Sequence, residues 1–429
     1  MRLLVLGGGV SGRGAIRLAT RLGHVLAVYD GNREAIEDLV DIERFHGDWR
    51  PEWLENVDVV VTSPGIPEHA APIVGALQAG LPVWGELEFA ARHLTAPIVA
   101  VTGTNGKTTV TSLIADMLEF SGLQAVAAGN IGTALTDIVG SSPDVIVVEA
   151  SSFQLRFIEQ FAPGVAVLLN IAPDHLDWHQ TFAAYRDAKA NLVRNAGPDV
   201  PLIFDADDTE AAAVAARAAT TPVPVSGRQR TGAGWGVDGK RFVLSGIDLP
   251  LDSLPVHDPA FLLDLAAAGS AALAAGAAPN AVIETIQSFE PTTHRRTAIG
   301  TWRGVTWVND SKATNPHSAL AAVAAYPSVV LIAGGRNKGL DLEPIVRHPH
   351  VRAVVAIGEA GPELLAATEH IPSRAAGSMV EAVAVARTMA ESGDTVLLAP
   401  GCASFDMFDS YGQRGDVFRQ AVLNLEEGE

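Results

Sequence analysis

A short glycine-rich segment, Gly-Thr-Asn-Gly-Lys-Thr-Thr at residues 103–109, constrains the fold more than any other stretch of this sequence. The apolar run 97–102 precedes it with the composition of a buried strand, and a helical stretch at residues 109–121 follows it. A strand, a glycine turn and a helix in this order aim backbone N–H groups and the positive end of the helix dipole at a phosphate. The segment therefore predicts a nucleoside triphosphate site in a parallel α/β sheet. Val101 stands where the longer form of the motif has glycine, so this loop is a shortened variant.

The residue types in this loop suit a nucleoside triphosphate bound together with its metal ion. The Lys107 ammonium can reach the β- and γ-phosphates, and the Thr108 hydroxyl is placed to bind Mg²⁺. We expect the nucleotide to contact the whole loop, that is Gly103, Thr104, Asn105, Gly106, Lys107, Thr108 and Thr109. The loop by itself does not distinguish a GTPase, an ATPase, a kinase or a ligase.

A second glycine-rich loop lies near the first residue, where Gly7, Gly9 and Gly12 form a Gly-x-Gly-x-x-Gly pattern after an apolar run. Asp30 ends the next apolar run, at the spacing of a dinucleotide-binding fingerprint. The pattern predicts a diphosphate on a helix N-terminus, whichever nucleotide carries it. An NAD-dependent enzyme is therefore one hypothesis at this point.

The net charge and the cysteine content limit the binding partners and the cellular compartments that suit this protein. The formal net charge of −19 argues against a nucleic-acid partner, because nucleic acids are bound by basic surfaces. The single cysteine, Cys402, excludes an internal disulfide framework and is typical of a reducing compartment. Met1 and Arg2 lead into an apolar run without signal-peptide features, and no apolar window approaches a membrane span. We expect a cytoplasmic protein with neither a nucleic-acid nor a membrane partner.

Short apolar runs alternate with helical stretches along the 429 residues, which is typical of parallel α/β sheets. The length suits two or three domains. We expect a Rossmann-like N-terminal domain at residues 1–92, a central P-loop ATPase-type α/β domain at 93–292, and a Rossmann-like C-terminal domain at 293–429. Glycines and short alternating runs at residues 226–254 predict a small antiparallel piece in the central domain.

Three further segments carry side chains suited to nucleotide chemistry, and each has a plain structural alternative. Glu149 ends the apolar run 145–148 and is a natural Mg²⁺ ligand, although a strand-end acid often only caps the next helix. His175 lies in a loop with acidic neighbours after another apolar run, where α/β sites form, and a solvated turn is the alternative. Lys189 follows Tyr185 by one helical turn, and this spacing alone predicts a solvated lysine.

The phosphate loop is the first of several motifs that together resemble the Mur ligase family. The next ones are Gly-Asn-Ile-Gly at residues 129–132, Glu-Ala-Ser-Ser-Phe-Gln-Leu at 149–155, Asn170 with Asp174, His175 and Asp177, and Tyr185 with Lys189. The later ones are His294 with Arg295, Asn-Asp-Ser-Lys-Ala-Thr-Asn-Pro at 309–316, Gly334 and Gly335 with Lys338, Ala-Ser-Phe-Asp at 403–406, and Gln-Arg-Gly at 413–415. These later motifs resemble the family member that adds D-glutamate, and the resemblance covers nearly the whole chain in the right order.

The resemblance implies an ATP-dependent acid–amino-acid ligase of peptidoglycan precursor synthesis. Its substrates would be UDP-N-acetylmuramoyl-L-alanine, D-glutamate and ATP, with Mg²⁺ as cofactor and an acyl phosphate as intermediate. The N-terminal glycine loop would then bind UDP rather than NAD. We expect the protein to act as a monomer.

The family also implies roles for individual residues around the nucleotide. Thr108 and Glu149 would bind one Mg²⁺, and His175 would help to bind a second. Lys189 matches a lysine that is carbamylated in the family, so it would be a further metal ligand. Asn130 would contact the muramoyl substrate near the reacting atoms. Lys107, Asn130, His175 and Lys189 are thus the expected catalytic set, and Arg295 and Asp310 are expected to contact ATP.

Two substrate sites complete the expectation. D-Glutamate carries two carboxylates, which suit a cation and hydroxyl donors. The family positions for it are Lys312, Thr314, Ser404 and Phe405, with Tyr411 beside them and Lys338 as a further match. The expected UDP contacts are Val10, Ser11, Asp30, Ser63 and Gly65.

One segment departs from the family. Aspartates at 258 and 264 stand in a stretch where the family has the asparagines that hold adenine, and a carboxylate lacks their amide donor. We therefore assign no adenine contacts.

The alternatives to D-glutamate ligation are a sister Mur ligase, a folylpolyglutamate synthase-like ligase, an NAD oxidoreductase with a regulatory ATP site, and a non-enzymatic nucleotide-binding scaffold. The octapeptide 309–316 favours D-glutamate ligation over the sister Mur ligase and the folylpolyglutamate synthase-like ligase. In a non-enzymatic scaffold, His175, Lys189 and Lys312 would have no role.

Overall fold

In the computed structural model of this protein, residues 1–229, 234–368 and 370–426 are described. Their contacts divide the chain into two compact units. The first comprises Met1–Ile171 and Trp178–Phe289, and the second comprises Ala172–Asp177 and Glu290–Glu429. Within the described residues, no helix has both the length and the apolar composition to cross a membrane.

The first sheet of the larger unit is entirely parallel. Its strands are β1 (Arg2–Leu6), β2 (Val25–Asp30), β3 (Glu43–His46), β4 (Val59–Thr62) and β5 (Val83–Gly85). The helices are α1 (Val10–Arg21), α2 (Ala71–Gln78) and α3 (Glu86–Ala91), with short 3₁₀ helices at Arg33–Ile36 and Pro51–Leu54. The strand order β3-β2-β1-β4-β5 places the glycine loop after β1 at the point where the order reverses, which is where ligands bind in such sheets.

The second sheet of this unit has nine strands in the order β14-β13-β12-β11-β10-β9-β6-β8-β7. They are β6 (Ile98–Thr102), β7 (Ala125–Gly129), β8 (Val145–Glu149), β9 (Val165–Leu168), β10 (Pro201–Asp205), β11 (Thr221–Gln229), β12 (Trp235–Asp238), β13 (Arg241–Leu244) and β14 (Ile247–Pro250). The helices here are α4 (Lys107–Phe120), α5 (Leu135–Ile138), α6 (Ser152–Arg156), α7 (Leu176–His179), α8 (Phe182–Ala190), α9 (Thr209–Ala215), α10 (Pro259–Ala274) and α11 (Pro279–Gln287). The first two residues of α7 belong to the smaller unit.

The central strand β6 explains why its sequence is a continuous apolar run. Val99 and Val101 pack into one hydrophobic cluster, whereas Ile98 and Ala100 pack into another on the opposite face. A strand covered on both faces has no solvent side, so it shows no alternation of polar and apolar residues. The loop that follows β6 therefore begins at a strand that is buried on both faces.

The smaller unit contains a six-stranded sheet in the order β15-β16-β20-β17-β18-β19. Its strands are β15 (Thr297–Trp302), β16 (Val305–Asn309), β17 (Val329–Gly334), β18 (Val351–Ile357), β19 (Ser373–Ala376) and β20 (Thr395–Leu398). Its helices are α12 (Pro316–Ala324), α13 (Glu343–Val346), α14 (Gly361–Ala366), α15 (Met379–Met389) and α16 (Tyr411–Glu426). Only β15 runs antiparallel, at the edge, among the described strands of this sheet.

The predicted α/β class, with one sheet for each expected domain, is confirmed. The boundaries after residues 92 and 292 stay a prediction. The expected antiparallel piece corresponds to β12, β13 and β14, which extend the edge of the nine-stranded sheet. The polar stretch 230–233 between β11 and β12 lies outside the described residues.

Substitution of Gly12 should destabilise the protein. A β-carbon at this position of α1 would overlap the carbonyl oxygen of Gly7, and backbone cannot move aside as a flexible side chain can. We expect Gly12→Ala to lower the free energy of unfolding by about 1–3 kcal/mol, the usual cost of overpacking. Urea unfolding followed by circular dichroism measures this change.

Gly9→Ala is the matched control in the same loop. Gly9 has an extended backbone with φ −76°, and nothing lies within 4 Å of the position its β-carbon would take. Its unfolding free energy should stay within about 1 kcal/mol of that of the parent protein, because alanine is a poorer N-cap than glycine but restricts the unfolded chain. Equal losses in the two variants would contradict the steric explanation.

Candidate functional site

The phosphate loop lies between β6 and α4 and is held from the next strand of the sheet. Asn170, just beyond β9, accepts a hydrogen bond from the Thr104 amide through its backbone oxygen at 2.7 Å. Its side-chain oxygen accepts another from the Asn105 amide at 2.8 Å. Gly106 has φ +89°, a left-handed conformation that suits glycine, and ends the loop where α4 begins. The loop therefore has a fixed shape with the amino end of a 14-residue helix behind it.

Two lysine side chains meet on one carbonyl group of this loop. The Lys107 ammonium donates to the carbonyl oxygens of Gly103 at 2.9 Å and Thr104 at 3.1 Å. The Lys189 ammonium, on α8, donates to the same Gly103 oxygen at 2.7 Å. Lys189 is only 1% exposed, so the solvated lysine expected from spacing alone is wrong. The resemblance, in contrast, anticipated a lysine at the nucleotide site.

Tyr185 explains how α8 presents Lys189 to the loop. Its hydroxyl is hydrogen-bonded to the Thr104 hydroxyl at 2.9 Å, and its ring lies 4.7 Å from the Lys189 nitrogen. Residues four apart on a helix lie on the same face, so both side chains turn toward the loop together. The Tyr-x-x-x-Lys spacing therefore indicates that both side chains face the phosphate loop, which the lysine alone does not indicate.

Glu149 ends β8, directly beside β6, and has the chemistry of a metal ligand. Its side chain is 2% exposed, and one carboxylate oxygen accepts from the Asn130 side-chain amide at 2.9 Å. The other oxygen is buried and has no hydrogen-bond partner among the described residues. Helix α6 is capped by Ser151, which with Gln154 forms a capping box, so Glu149 is not the cap. A buried carboxylate oxygen without a donor suits a cation.

Thr108 completes a donor set that fits Mg²⁺. It lies in the first turn of α4, half-buried, at the position where a phosphate-loop hydroxyl binds the ion of a bound nucleotide. Mg²⁺ in such sites takes one or two protein oxygens together with phosphate and water oxygens. Glu149 and Thr108 thus fit this ion, with Asn130 orienting the carboxylate.

The N-terminal glycine loop has a different set of internal contacts. The Gly8 amide donates to one carboxylate oxygen of Asp30 at 2.8 Å, and the Asn32 amide donates to the other at 2.9 Å. Asp30 therefore fixes the loop after β1 to the turn after β2. Ser63, after β4, has a buried hydroxyl with no hydrogen-bond partner among the described residues. Val10 is 77% exposed at the start of α1.

The expected UDP contacts thus come together along one sheet edge. Val10 and Ser11 follow β1, Asp30 ends β2, and Ser63 and Gly65 follow β4. These are the carboxyl ends of three neighbouring strands. The structure places these residues at one edge of the sheet, and their contact with UDP stays a prediction.

In the smaller unit, the loop after β16 carries Asp310, Lys312 and Thr314, and Ser404 follows the neighbouring strand β20. The Lys312 amide donates to the backbone oxygen of His294 at 3.0 Å. The Lys312 ammonium lies 6.0 Å from the centre of the Tyr411 ring. Ser404 is 2% exposed.

A buried arginine that sequence reasoning gave no role holds this loop in place. Arg414 is 1% exposed and donates to the hydroxyl and carbonyl oxygens of Ser311 and to the carbonyl oxygen of Cys402. Burial lowers the pKa of Arg414 to about 10 and raises that of the Cys402 thiol to about 12. The backbone before Lys312 is therefore held in place by the buried guanidinium group of Arg414.

Asp174 gathers a second group of side chains in this unit. It is 4% exposed and accepts from the Lys338 ammonium at 2.9 Å and from the Asn315 amide at 3.1 Å. His175 lies with its ring nitrogen 3.7 Å from the same carboxylate. Burial alone would raise the pKa of Asp174, but the Lys338 and His175 charges outweigh it and lower the pKa. Lys338 is thus the main cation beside this carboxylate.

A cavity of about 690 Å³ lies next to this group and is lined by His175, Asp177, Lys338 and Phe405, among others. Phe405 is 66% exposed, which is unusual for so large an apolar side chain. Two of the expected site residues, His175 and Phe405, thus line one cavity of the smaller unit. Their metal-binding and D-glutamate-binding roles stay predictions.

Two expected ATP contacts lie at the beginning of the smaller unit. Asp310 is 4% exposed, and its carboxylate accepts from the Arg296 amide at 3.3 Å and lies 3.8 Å from the Arg296 guanidinium. Sequence reasoning named the preceding residue, Arg295, and missed this pairing. Arg295 itself is half-buried, and its amide donates to the Thr292 carbonyl at 3.2 Å.

The two aspartates that depart from the family pattern have separate positions. Asp258 caps α10 by accepting from the Ala260 amide at 2.9 Å. Asp264 is 2% exposed and lies against the phosphate loop, where a β-carbon on Gly106 would come within 2.5 Å of its carboxylate oxygen. Asp264 is therefore a neighbour of the loop that the sequence reasoning did not identify.

Comparison with protein families matches three consecutive parts of the chain. Residues 1–85 match the N-terminal domain of Mur ligases of the MurD-like type, residues 101–233 the Mur ligase middle domain, and residues 294–402 the Mur ligase glutamate ligase domain.

Curated relatives agree over the full length. A protein of Frankia casuarinae named UDP-N-acetylmuramoylalanine–D-glutamate ligase is 42% identical over 442 residues, covering 98% of this chain and 93% of the relative. A protein of Pelotomaculum thermopropionicum with the same name is 37% identical, covering 100% of this chain and 98% of the relative.

Solved structures share the fold at low identity. A pseudomurein peptide ligase type C from Methanothermus fervidus aligns with a TM-score of 0.62 at 15% identity, covering 99% of each chain. MurF from Acinetobacter baumannii aligns with a TM-score of 0.61 at 15% identity, covering 93% of this chain and 90% of its own. FolC from E. coli, solved with DHPP and ADP, aligns with a TM-score of 0.57 at 18% identity, covering 80% of this chain and 92% of its own.

Proposed function

The chain belongs to the Mur ligase family, and from this premise we propose that it joins D-glutamate to UDP-N-acetylmuramoyl-L-alanine at the expense of ATP. The observation that carries the ligase chemistry is the cluster at the phosphate loop, where Lys107 and Lys189 converge on Gly103 beside the buried Glu149. The choice of D-glutamate is supported by the full-length relatives that carry this activity in their names.

In the first step, a carboxylate oxygen of the L-alanyl group attacks the γ-phosphorus of ATP. The bond to the bridging oxygen breaks, ADP leaves, and an acyl phosphate is formed. Both reactants are anions, so the site has to offset their repulsion. Lys107 supplies a cation to the γ-phosphate, and the α4 amino end supplies backbone donors. Glu149 and Thr108 would bind Mg²⁺, which offsets phosphate charge when bound.

In the second step, the amine of D-glutamate attacks the acyl carbonyl carbon, phosphate leaves, and the nitrogen loses a proton as the amide forms. Lys312 would bind a carboxylate of the amino acid, with the hydroxyls of Thr314 and Ser404 as further donors. Phe405 would cover the bound amino acid. The diphosphate of the other substrate would lie on the N-terminal helix α1 beside Val10 and Ser11.

We also propose that Asn130 orients both Glu149 and the substrate, since its amide already donates to that carboxylate. Lys189 would act as a carbamate, an anion formed when its ammonium loses one proton, the free amine adds CO₂, and the nitrogen then loses a second proton. This change would replace one of two adjacent ammonium groups on Gly103 by a group that attracts Lys107.

Phosphate release from ATP tests the proposal directly. The protein, Mg²⁺ and UDP-N-acetylmuramoyl-L-alanine are mixed with D-glutamate, L-glutamate, meso-diaminopimelate or L-lysine in turn. Release that depends on D-glutamate alone is the expected result. Release with another amino acid would keep the ligase chemistry but assign the chain to a sister activity, and no release with any of them would overturn the proposal.

A further inference from the structure

Arg13, on the first turn of α1, makes four hydrogen bonds beside the N-terminal glycine loop. Its Nε donates to the Gly8 carbonyl oxygen at 2.9 Å, and one terminal nitrogen donates to the Ala35 carbonyl oxygen at 2.9 Å. The two terminal nitrogens also donate to the two carboxylate oxygens of Asp38, each at 2.8 Å. One guanidinium group thus joins the glycine loop to the chain that follows β2.

We call residues 31–39, which follow β2, the cover segment. It contains the 3₁₀ helix Arg33–Ile36, and it lies directly on Gly8, because a β-carbon there would overlap the carbonyl of Ala35 and the Ile36 side chain. Ile36 is 1% exposed. The segment is therefore packed on the loop by apolar contact as well as by hydrogen bonds.

Both the amide and the carbonyl group of Gly8 form hydrogen bonds within the protein. Its amide donates to Asp30 and its carbonyl accepts from Arg13, so neither is directed at a ligand. The first amides of α1, at Val10 and Ser11, have no partner within the helix itself. A diphosphate would accordingly meet the start of α1 rather than the middle of the glycine loop.

The ion pair with Asp38 does not by itself account for this arrangement. The Arg13 and Asp38 side chains are 34% and 65% exposed, and ion pairs with such exposure contribute little to stability. What distinguishes Arg13 is the pair of backbone carbonyls, one from each loop, that it bridges. Lysine could replace it only in part, because an ammonium lacks the planar fork that donates to several acceptors at once.

We propose that Arg13 is a positioning residue for the nucleotide diphosphate of the substrate. It holds the cover segment on the glycine loop before the substrate arrives, so that the ordering cost is not incurred on binding. Asp30 and Asn32, which precede the Ala35 carbonyl in the chain, are held to Gly8 separately, through the Asp30 carboxylate. The inference rests on the proposed function, since it concerns the UDP end of that substrate.

Titration of UDP-N-acetylmuramoyl-L-alanine into the full-length protein without ATP tests this role. We expect Arg13→Ala to weaken binding by about tenfold and Arg13→Lys to weaken it to an intermediate degree. In the ligase assay, KM for this substrate should rise to the same extent, while kcat and the KM values for ATP and D-glutamate stay within about twofold. Amide hydrogen exchange in residues 31–39 should become faster in Arg13→Ala.

Arg2→Ala is the matched control. Arg2 is 35% exposed and pairs with Glu43 at 2.7 Å, so it loses an ion pair of the same kind at the opposite end of β1. It should bind the substrate as the parent protein does. If Arg13→Ala unfolds, Arg13→Lys, which keeps a cation beside Asp38 but lacks the planar fork that reaches both carbonyls, should still weaken binding, by less than tenfold.

The outcomes separate this inference from the proposed function. Failure of the parent protein to bind the substrate would overturn the proposed function and this inference with it. Normal binding by the parent protein and equal binding by folded Arg13→Ala or, where that variant unfolds, by Arg13→Lys would overturn only the role of Arg13. A fall in kcat without a change in KM would also contradict a positioning role.

Discussion

Replacement of Lys189 by alanine is expected to lower kcat by about 10²–10³-fold, the loss typical of removing one electrostatic group from a catalytic site. The side chain is buried and donates to the Gly103 carbonyl of the phosphate loop at 2.7 Å. Its removal would take away the proposed carbamate and leave a cavity beside the loop. Phosphate release from ATP in the presence of both other substrates measures the effect.

Two further results distinguish a carbamate from a structural lysine. Lys189→Arg keeps the positive charge and much of the volume but cannot add CO₂ in the same way, so it should be about as inactive as the alanine variant. Short carboxylic acids such as acetate or formate should partly restore activity to Lys189→Ala, because they can place a carboxylate in the space left behind. They should not restore Lys107→Ala, whose cation is lost instead.

Lys240→Ala is the control for loss of a lysine as such. Lys240 is exposed at the turn between β12 and β13, far in sequence from the phosphate loop, and its loss should leave kcat unchanged. Full activity of Lys189→Ala would contradict any catalytic role for this residue. If Lys189→Ala is inactive and carboxylic acids do not restore its activity, Lys189 has a structural role and the carbamate proposal is contradicted.

The phosphate loop could be predicted because all of its parts are contiguous. The strand, the glycines, Lys107 and the helix follow one another without interruption, so local pattern alone specifies the geometry. The same holds for the glycine loop after β1. Neither pattern identified which nucleotide binds, since that depends on the residues that approach from other strands.

Lys189 shows where local pattern fails. Its position on α8 was predicted, but its burial against Gly103 depends on a contact between residues 86 apart in sequence. Asp174 and Lys338 are 164 residues apart, and nothing in either local sequence announces their ion pair. Such pairs depend on how segments that are distant in sequence pack against each other, and the local sequence of either partner does not specify this.

Some short elements were missed for a simpler reason. Strand β3 has the sequence Glu-Arg-Phe-His, and three of its four residues are exposed, so it lacks the apolar signal of a buried strand. It lies at the edge of its sheet, where only one neighbour supplies hydrogen bonds. Helix α3 carries Glu86 and Glu88, a residue type typical of exposed positions. Both are buried, because Glu86 accepts a hydrogen bond from the Thr136 amide and Glu88 accepts one from the Phe161 amide.

Replacement of Lys312 by alanine is the second large effect we expect. The backbone around it is fixed independently of its side chain, by the Lys312 amide on His294 and by Arg414 on Ser311. The variant should therefore fold normally and lose only the ammonium. Truncation of one partner of a charge-assisted hydrogen bond costs about 2–5 kcal/mol, so KM for D-glutamate should rise by at least about 30-fold. The KM values for ATP and UDP-N-acetylmuramoyl-L-alanine should stay within about twofold.

A control variant tests whether the effect depends on the position of the Lys312 charge. Arg347→Ala removes a cation from the same unit, but this residue is 62% exposed and pairs with Glu343, so it should leave all three KM values unchanged. A change in KM for ATP as large as that for D-glutamate would contradict the assignment of Lys312 to the amino-acid site. A rise for D-glutamate alone would identify the ammonium as a carboxylate partner. Arg414 would then explain why a loop, normally the most variable part of a sheet protein, can hold that charge in one place.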